Sequence, residues 1–569
     1  MRTVQIAAVV VFCAGSVTSA LADAYDPPVS YYAGATGSGA TLKSQLAAAM
    51  SAGHVQRTYG DFRTSAAFHD ADPNVAGRVW LVYNRGSVPS VWDSGLTWNR
   101  EHVWPESRQP GSVNNSSTGN LGDPHALRPC NPSINTSRGN SPFGFASTTG
   151  GYGSQGSFYF PGDFDKGDIA RSLFYSDTRW SSLGLSLVNS TPTGNQMGNL
   201  DSLIAWNYLD PPDDFERRRN HVIWGAEGNP FPTHNRNAYI DNPELVWSIY
   251  VDQMNDSSLY VGSSPSSDFS STVTLLMDDS LVGDPVPSTE AILYKNGLDG
   301  TYYEVIPGPG AQSAQAGKFN AFPISSTSPD AAMLSVGFDA SATAASGAKS
   351  VTITIDNRDI TTGAGLGMAA NDGDDTITLE MVVLDHANGS FDSPADLDTI
   401  SIDFGTIAQG TGAAMIVFDV YNLPANDPAF VAALDIEADG VSGDADRLDT
   451  TLGSTTIQSQ QSFVATLDDS VSGVFSATYT YQTYDDLTIP TSQPGTVLTI
   501  HLSGTVVPVL CTGDVTGDQI VNVDDLNAVL SAWGMNVGMG SPIDLANNDG
   551  FVDVDDLNVV LGNWGTDCN

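Results

Sequence analysis

A change of composition near residue 256 restricts what this chain of 569 residues can fold into more than any other feature. Residues 23–252 carry 16 basic and 22 acidic side chains, whereas residues 256–569 carry 5 and 43. The formal net charge of -43 therefore arises almost entirely in the second half. Eight of the ten tryptophans lie in residues 80–247. Such a chain is predicted to consist of separate modules, and only its first half has a charge balance compatible with binding nucleic acid.

The amino terminus predicts secretion. Residues 1–22 begin with Arg2, continue through an apolar run over residues 6–13 and end in the small-residue site ALA, which is the pattern of a signal peptide. The apolar run is too short to cross a bilayer, and we find no other stretch of about 18 apolar residues in the sequence. We therefore expect a secreted, extracellular protein without a membrane span, and attachment to the cell surface is left open.

Hydrophobic periodicity predicts a multidomain protein. The first half combines helical and strand patterns, with helices expected over residues 41–52 and 168–175, which is typical of an α+β domain. Beyond residue 256, Thr, Ser, Val and Ile dominate between Gly and Pro turns, which favours antiparallel sandwiches. Strands are expected over residues 350–355, 414–423, 477–484 and 497–506. The predicted order is a signal peptide (1–22), an α+β domain (23–255), two all-β sandwich spacers (256–395 and 396–508) and a small α-helical domain (511–569).

The residues best suited to phosphodiester chemistry cluster in the middle of the first domain. Glu101 and His102 place a hard oxygen ligand beside an imidazole that titrates near neutral pH. Adjacent side chains of a regular strand point to opposite faces, so we expect the strand to end or bulge here. A short helix with Asn131 as its N-cap would carry Asn135 and Arg138 on one face. Glu101 and Asn135 together would be an all-oxygen ligand set, which suits Mg²⁺, with Mn²⁺ or Ca²⁺ as alternatives, and suits Zn²⁺ poorly.

Three ordered motifs in this region resemble those of the bacterial endonuclease I family. They are REHVWP at residues 100–105, DPHALRP at residues 123–129 and NTSRGN at residues 135–140. Later blocks continue the resemblance, which in outline covers residues 25–255. Members of this family are secreted nucleases of the ββα-metal (His-Me finger) class, so the resemblance implies an α+β nuclease with such a finger.

The resemblance also implies a division of roles around one cation. His102 is expected to be the general base that activates water. Glu101 and Asn135 are expected to hold a single Mg²⁺ ion, with Asn140 as the competitor of Asn135. Hydrolysis would leave a 5′-phosphate.

An arginine of the family helps to bind the scissile phosphate, and its position in this chain is left open. Arg128 is the first candidate and Arg108 is the second. His125 is expected to support the scaffold. The other candidates for substrate contact are polar residues of the same domain: Arg138, Asn140, Arg171 and Arg179.

A repeated sequence at the end of the chain indicates calcium binding. GDVTGDQIVNVDDLNAVLSAWG at residues 513–534 has a related copy at residues 543–565. Its spacing is that of an EF-hand-type loop, whose ligands fall at positions 1, 3, 5, 7, 9 and 12. In the first copy these are Asp514, Thr516, Asp518, Ile520 through its carbonyl, Asn522 and Asp525. In the second copy the matching residues are Asn547, Asp549, Phe551, Asp553 and Asp556. Asp544 stands one residue too early for position 1, as if Ala546 were inserted.

This repeat resembles a type I dockerin. In that family two Ca²⁺ loops with their helices form a small domain that docks onto a cohesin partner, so the resemblance implies Ca²⁺ and a cohesin-like protein partner. Cys511 and Cys568 bracket the segment and are candidates for a disulfide in a secreted chain. Cys130 has no evident mate.

Functions from different classes remain open at this point. The first is a secreted Mg²⁺-dependent endonuclease that hydrolyses DNA, with RNA as a further substrate, and has little sequence specificity. The alternative is a catalytically inactive, nuclease-like adhesion or scaffold protein that docks through its calcium-binding tail. A phosphodiesterase for a smaller substrate is a third. The intact set of Glu101, His102 and Asn135 favours the endonuclease.

Overall fold

The computed structural model describes residues 24–144, 149–262, 270–359 and 373–568, so the signal segment predicted over residues 1–22 lies outside the described residues. The chain forms two compact units. The first contains Met1–Met277, Pro287–Asp339 and Ser350–Glu380, and the second contains Asp278–Val286, Ala340–Lys349 and Met381–Asn569. Among the described residues, none of the helices combines the length and the hydropathy that a membrane span needs.

The first part of the first unit mixes helices with short paired strands, as an α+β domain does. Its helices are α1 (Gly39–Ser51), α2 (Phe62–His69), α3 (Pro132–Arg138), α4 (Lys166–Arg179), α5 (Leu200–Leu209), α6 (Asp214–Trp224) and α7 (Ala238–Asp241), followed by a π-helical turn, Trp247–Val251. Its strand pairs are β1 (Arg78–Trp80) with β2 (Ser87–Pro89), β3 (Asn99–His102) with β4 (Leu127–Cys130), β5 (Gly153–Gln155) with β6 (Phe158–Phe160), and β7 (Ser186–Leu187) with β8 (Gln196–Met197).

Helix α4 forms the centre of this part, because almost all of its side chains are buried. It packs against α1, α5 and α7. Leu173 and Phe174 join the apolar core, whereas Asp168 and Arg171 enter the interior as charges and find oppositely charged partners there. The helices predicted over residues 41–52 and 168–175 are therefore present, and α4 is longer than its apolar pattern indicated because buried charges interrupt that pattern.

The following segment is built of strands. They are β9 (Ser258–Gly262), β10 (Thr272–Leu276), β11 (Ser280–Leu281), β12 (Ser288–Asn296), β13 (Thr301–Pro307), β14 (Ala311–Ser313), β15 (Gly317–Phe322), β16 (Asp330–Phe338), β17 (Gly347–Asn357) and β18 (Asp375–Leu384). One sheet has the order β14-β16-β12-β9, and the other has the order β10-β18-β17-β13-β15. Residues alternate between buried and exposed along much of these strands, which is typical of sheets with one face in a core.

Most of this sandwich belongs to the same compact unit as the α+β part. The guanidinium of Arg358 lies 2.8 Å from the carboxylate of Glu244 and 2.9 Å from that of Glu304. The buried hydroxyl of Tyr302 donates to the carbonyl of Asn207. These contacts, of which those of Arg358 are charge-assisted, couple the two parts, and a run of strand residues does not reveal them.

The second unit contains another sandwich with an apolar core. Its strands are β19 (Gly389–Ser390), β20 (Thr399–Ala408), β21 (Ala414–Asn422), β22 (Leu434–Gly443), β23 (Leu448–Thr450), β24 (Thr455–Ile457), β25 (Gln460–Leu467), β26 (Gly473–Tyr484) and β27 (Pro494–Val507). The sheets have the orders β19-β21-β25-β23 and β20-β27-β26-β22-β24. Leu498, Ile500 and Leu502 alternate into the core along β27.

The end of the second unit holds the two copies of the repeat. Helices α8 (Val523–Ser531) and α9 (Val554–Gly562) each begin with a capping box. Val521, Val529, Val552 and Val560 form a small buried core between the copies. Cys511 and Cys568 form a disulfide, which ties the first residue of the segment to its end, and Cys130 is a buried free thiol.

Candidate active site

The predicted catalytic residues lie on two strands and the helix that follows them. Strand β3 runs antiparallel to β4, with Glu101 opposite Arg128, and α3 packs on β3. The side chain of Asn131 caps α3 by accepting from the amides of Ser133 and Ile134. Gly139, at φ +58°, ends the helix in the left-handed region that glycine tolerates best. The local sequence therefore produces two paired strands followed by a short helix.

Glu101 is a buried carboxylate held through one of its oxygens. Its side chain is only 2% exposed, and Oε1 accepts from the hydroxyl of Tyr83 at 2.7 Å and from Nη1 of Arg138 at 3.0 Å. Burial raises the pKa of Glu101, while the charge of Arg138 and these two hydrogen bonds oppose that shift. Within the described residues, all side-chain hydrogen bonds to Glu101 fall on Oε1, so Oε2 is left as its donor atom for a ligand.

His102 is the last residue of β3, and its ring is fixed from two sides. Nε2 lies 3.0 Å from the carbonyl oxygen of Leu121, and the imidazole stacks on Tyr59 at 5.0 Å between centroids. Because a carbonyl only accepts, Nε2 carries the proton of the neutral ring and Nδ1 keeps its lone pair. Burial lowers the pKa of His102, which favours the neutral ring that a general base requires.

Asn135 is oriented by a neighbour on β3. Its Nδ2 donates to Oδ1 of Asn99 at 2.9 Å, so the amide oxygen of Asn135 is directed away from Asn99. Asn99 and Glu101 are two residues apart on β3 and share the face on which α3 packs. Arg100 and His102 share the other face, where both contact the ring of Tyr59. His102 is the last residue of β3, so the regular alternation of faces ends with it, as expected from the sequence.

Two of the predicted phosphate-binding arginines are enclosed in the interior. Arg128 lies 3.2 Å from Asp168 and 3.3 Å from Asp70, and all three side chains are buried. Arg171 is fully buried and lies 2.5 Å from Glu216. If either arginine turned outward to reach a phosphate, its carboxylate partners would stay buried without a positive charge. A buried charge without a partner costs several kcal/mol, on the order of 3–5, of folding free energy. The structure therefore does not support Arg128 and Arg171 as substrate contacts, because their positive charges already balance buried acids.

Arg138 is also turned inward. Apart from Glu101, its guanidinium donates to the carbonyls of His102 and Val103, at 3.0 and 2.8 Å. It is 1% exposed. Arg138 therefore holds the end of β3 against α3. The structure does not support the prediction that it contacts substrate directly.

The remaining predicted substrate contacts are at least partly exposed. Arg108 donates through Nε to the carbonyl of Asn140 at 3.1 Å and through Nη1 to that of Pro192 at 3.2 Å. Arg179 lies over the ring of Trp180 at 4.0 Å and donates to Nδ1 of His54. Neither arginine forms an ion pair among the described residues, so both keep their charge available.

The sequence did not point to the residues that orient the site, namely Tyr83, Asn99, Tyr59 and Leu121. Asn99 alone carried a local signal, because it precedes Glu101 by two positions on the predicted strand. His125, expected in the scaffold, is buried and contacts the carbonyl of Asn235 at 3.3 Å, and burial lowers its pKa to about 3.

The first loop of the repeat gathers carboxylates. One oxygen from each of Asp514, Asp518 and Asp525 lies within 4.8 Å of the others. Oδ1 of Asp525 accepts from the amides of Val515 and Thr516, at 2.8 and 2.9 Å. The loop therefore wraps its backbone around the acidic residue at its last position.

The second loop corrects our alignment of the repeat. Oδ1 of Asp556 accepts from the amides of Leu545 and Ala546, just as Asp525 accepts from Val515 and Thr516. Oδ2 of Asp544 accepts from the amide of Gly550 at 2.8 Å, as Asp514 does from Gln519 at 2.7 Å.

Asp544 therefore occupies the place of Asp514, and the extra residue is not Ala546. The second loop has two residues, Asn547 and Asn548, where the first loop has Gly517 alone. Their φ angles of +48° and +53° form a left-handed bend that accommodates the additional residue. The assignment of Asn547 to position 3 is consequently not supported.

Comparisons with known proteins agree with the resemblance of the first domain. The family model described as Endonuclease I matches residues 38–244. The chain is 36% identical over 252 residues to the extracellular ribonuclease of Bacillus subtilis (strain 168), covering 42% of this chain and 84% of the relative. It is 36% identical over 234 residues to the extracellular ribonuclease of Bacillus amyloliquefaciens, covering 39% and 78%.

Solved structures add little. A crystal structure of human protocadherin-24 EC1-2 aligns with 45% of this chain and 99% of its own at 15% identity, but the TM-score of 0.23 supports no assignment. The family model instead covers the segment that carries Glu101, His102 and Asn135. Through this segment, the chain belongs to the endonuclease I family.

Proposed function

We propose that this protein is a secreted, metal-dependent endonuclease that hydrolyses phosphodiester bonds of DNA or RNA with little sequence specificity. Family membership supports the nuclease activity, and the extracellular relatives support secretion. The observation that carries the proposal is the contact between Nε2 of His102 and the carbonyl of Leu121. It leaves Nδ1 of a buried, neutral imidazole able to accept a proton from water.

The residues beside His102 fit a hard divalent cation. Glu101 offers Oε2 and Asn135 offers its amide oxygen, and both side chains are oriented by neighbours through their other atoms. Oxygen donors of this kind suit Mg²⁺, which would neutralise charge that develops on the phosphate. We propose Glu101 and Asn135 as the residues that hold it.

The chain's own residues would then act in defined ways. His102 accepts the proton of the attacking water at Nδ1, while Leu121 and Tyr59 keep its ring in place. Arg108 contacts the phosphate, because it is partly exposed and its guanidinium is aimed by the carbonyls of Asn140 and Pro192. Contacts directed to phosphates rather than bases give little sequence selectivity and strong dependence on salt.

Cleavage of supercoiled plasmid and of RNA, each with Mg²⁺ and with EDTA, tests the activity. The wild-type protein is expected to cleave with Mg²⁺ only. His102→Ala is expected to lower the rate by about 10²- to 10⁴-fold, the usual contribution of a general base. His501→Ala, on an exposed sandwich strand, is the matched control. A natively folded wild type that leaves both substrates intact would favour the alternative of an inactive adhesion or scaffold protein.

The phosphate contact can be tested separately. Arg108→Ala is expected to weaken binding of substrate to the His102→Ala protein and to reduce the slope of log K against log salt by about 1. Arg179→Ala tests the second exposed arginine in the same way. Arg447→Ala, in the second sandwich, is the control. An unchanged slope for Arg108→Ala would remove this residue from the substrate site.

We further propose that residues 511–569 form a dockerin-like, calcium-binding module that docks onto a cohesin-like protein. The cluster of Asp514, Asp518 and Asp525 supports the cation site. Trp533 and Trp564 occupy matching places after α8 and α9 and are 47% and 49% exposed, which supports a docking role for both copies.

Calcium titration of the full chain tests this module. Ca²⁺ is expected to bind and to alter the fluorescence of Trp533 and Trp564, and Asp514→Asn is expected to weaken binding at the first loop. Asp439→Asn, exposed on a sandwich strand, is the control. Absence of calcium binding by the wild type would reject the cation assignment.

A further inference from the structure

We propose that Tyr83 and Asn99 are positioning residues of the metal site, each of which fixes the donor oxygen that a metal ligand presents. The inference rests on the proposed function, since it concerns the same cation. Neither residue would touch the cation or the substrate. Tyr83 acts on Glu101, and Asn99 acts on Asn135.

Tyr83 is held in an unusual backbone conformation that places its hydroxyl. Its φ is +75°, a value that bulky residues rarely adopt. Its amide donates to Oδ2 of Asp165 at 2.7 Å, and its buried ring packs edge-on against Tyr159 at 5.3 Å. The surroundings therefore hold both the backbone and the ring. A conformation so fully held beside a charged side chain indicates a positional requirement.

The hydroxyl of Tyr83 complements the guanidinium of Arg138. Both donate to Oε1 of Glu101, at 2.7 and 3.0 Å, so the carboxylate plane is fixed and Oε2 is the oxygen left for a cation. Arg138 carries a positive charge that opposes a nearby cation, whereas the phenol is a neutral donor. Tyr83 therefore orients Glu101 without adding repulsion to the cation.

Asn99 performs the equivalent task for the amide ligand. Its Oδ1 accepts from Nδ2 of Asn135 at 2.9 Å, which decides between the two orientations of that amide and leaves its oxygen for the cation. Because Asn99 lies two residues before Glu101 on β3, one short strand links both ligands. Groups that orient metal ligands in this way typically affect metal affinity by about 10- to 100-fold.

Binding of Mn²⁺ to the full-length protein, measured by electron paramagnetic resonance and calorimetry, tests the role of Tyr83. Tyr83→Phe keeps the ring and removes only the hydroxyl, and it is expected to weaken Mn²⁺ binding by about 10- to 100-fold with an unchanged thermal midpoint. Tyr159→Phe removes a hydroxyl from the adjacent ring and is expected to bind Mn²⁺ as the wild type does. Wild-type Mn²⁺ affinity in Tyr83→Phe would overturn the role of Tyr83.

Two substitutions at residue 99 provide an independent test. Asn99→Ala removes the acceptor and is expected to weaken Mn²⁺ binding by about 10- to 100-fold. Asn99→Asp keeps an acceptor for Nδ2 of Asn135 and is expected to restore affinity. Equal Mn²⁺ constants for all three proteins, or equal weakening in both variants, would overturn the role of Asn99.

The same measurements separate this inference from the proposed function. A wild type that cleaves with Mg²⁺, together with variants of unchanged Mn²⁺ affinity, would overturn the positioning roles and leave the nuclease intact. A wild type that binds Mn²⁺ but cleaves neither plasmid nor RNA would refute the proposed function, while the expected shifts in the variants would still support the positioning roles. A wild type that binds no Mn²⁺ would overturn the positioning roles of Tyr83 and Asn99.

Discussion

The interior of the α+β part and the interior of the second sandwich are stabilised by different chemistry. In the α+β part, three arginines and several acids are buried together: Arg128, Arg171 and Arg219 with Asp70, Asp168 and Glu216, and the half-buried Arg85 pairs with the buried Asp165. In the sandwich, the described core is a layer of Leu, Ile, Val, Phe, Ala and Tyr side chains. The stability of the charged interior depends on each buried charge having an oppositely charged partner. The stability of the apolar interior depends on the total side-chain volume and on the alternation of core and solvent positions along the strands.

Each region is therefore sensitive to a different kind of substitution. Removing one member of a buried ion pair leaves a charge without a partner in a poorly solvated place. Removing part of an apolar side chain leaves a cavity that neighbours partly fill. Tryptophan fluorescence separates the two regions experimentally, because residues 80–247 contain eight of the ten tryptophans and residues 256–510 contain none.

The largest expected effect follows from breaking the charged interior. Arg171→Met leaves Glu216 and Asp168 buried without this cation, and it is expected to cost about 3–5 kcal/mol of unfolding free energy. Urea unfolding followed by tryptophan fluorescence measures the loss. Arg447→Met, at a more exposed pair with Asp468, should cost under about 1 kcal/mol. Equal losses in the two variants would contradict the contrast.

A large-to-small change in the sandwich core is expected to cost about 3 kcal/mol. Leu498→Ala empties part of a fully buried site on β27. Far-ultraviolet circular dichroism in urea should show the loss, while the fluorescence transition of the α+β part should stay in place. A shift of the fluorescence transition of equal size would show that the two regions unfold together.

Coupling between the α+β part and the first sandwich is expected to contribute about 2 kcal/mol through Arg358. This residue donates to Glu244 on one side and Glu304 on the other, and hydrogen bonds to charged groups contribute at this level. Arg358→Met should therefore lower the midpoint of the fluorescence transition. Lys318→Met, at a longer contact with Asp26, is the control and should change it little. A transition that responds to neither change would show that Arg358 does not couple the two parts.

The smallest expected effect is a pH response of the second unit. A hydrogen bond to Asp485 raises the pKa of His386 above its ordinary value of 6.5. The folded state therefore binds this proton more tightly, so the contribution is complete below pH 6.5 and is lost as the pH rises through the folded pKa. Because 43% of the side chain is exposed, the change should stay under about 1 kcal/mol. His386→Gln should abolish it, and an undiminished response would exclude His386.

Much of the secondary structure could be predicted because it depends on local periodicity. The strands expected over residues 414–423 and 497–506 correspond to β21 (Ala414–Asn422) and β27 (Pro494–Val507), where side chains alternate between core and solvent. Helix α1 lies within two residues of its predicted bounds. Parts of the site were also predictable, since Asn131 and Gly139 delimit α3 by rules that involve only neighbouring residues.

The destinations of the arginines could not be predicted. Arg128 and Arg171 look the same as Arg108 in a sequence, yet their partners Asp70 and Glu216 come from elements 58 and 45 residues away. A buried partner at that distance leaves no local pattern. The orientation of Glu101 by Tyr83 is of the same kind, because the two residues are 18 positions apart and meet only across the fold.

Residue type and spacing were sufficient to identify the motifs of the endonuclease I family, and they predict the order of the modules and a base beside oxygen ligands. Only the folded chain shows which arginines are buried, which oxygen of Glu101 accepts hydrogen bonds, and that Asp544 matches Asp514. The physical reason is that burial and hydrogen bonding are set by groups that approach through space.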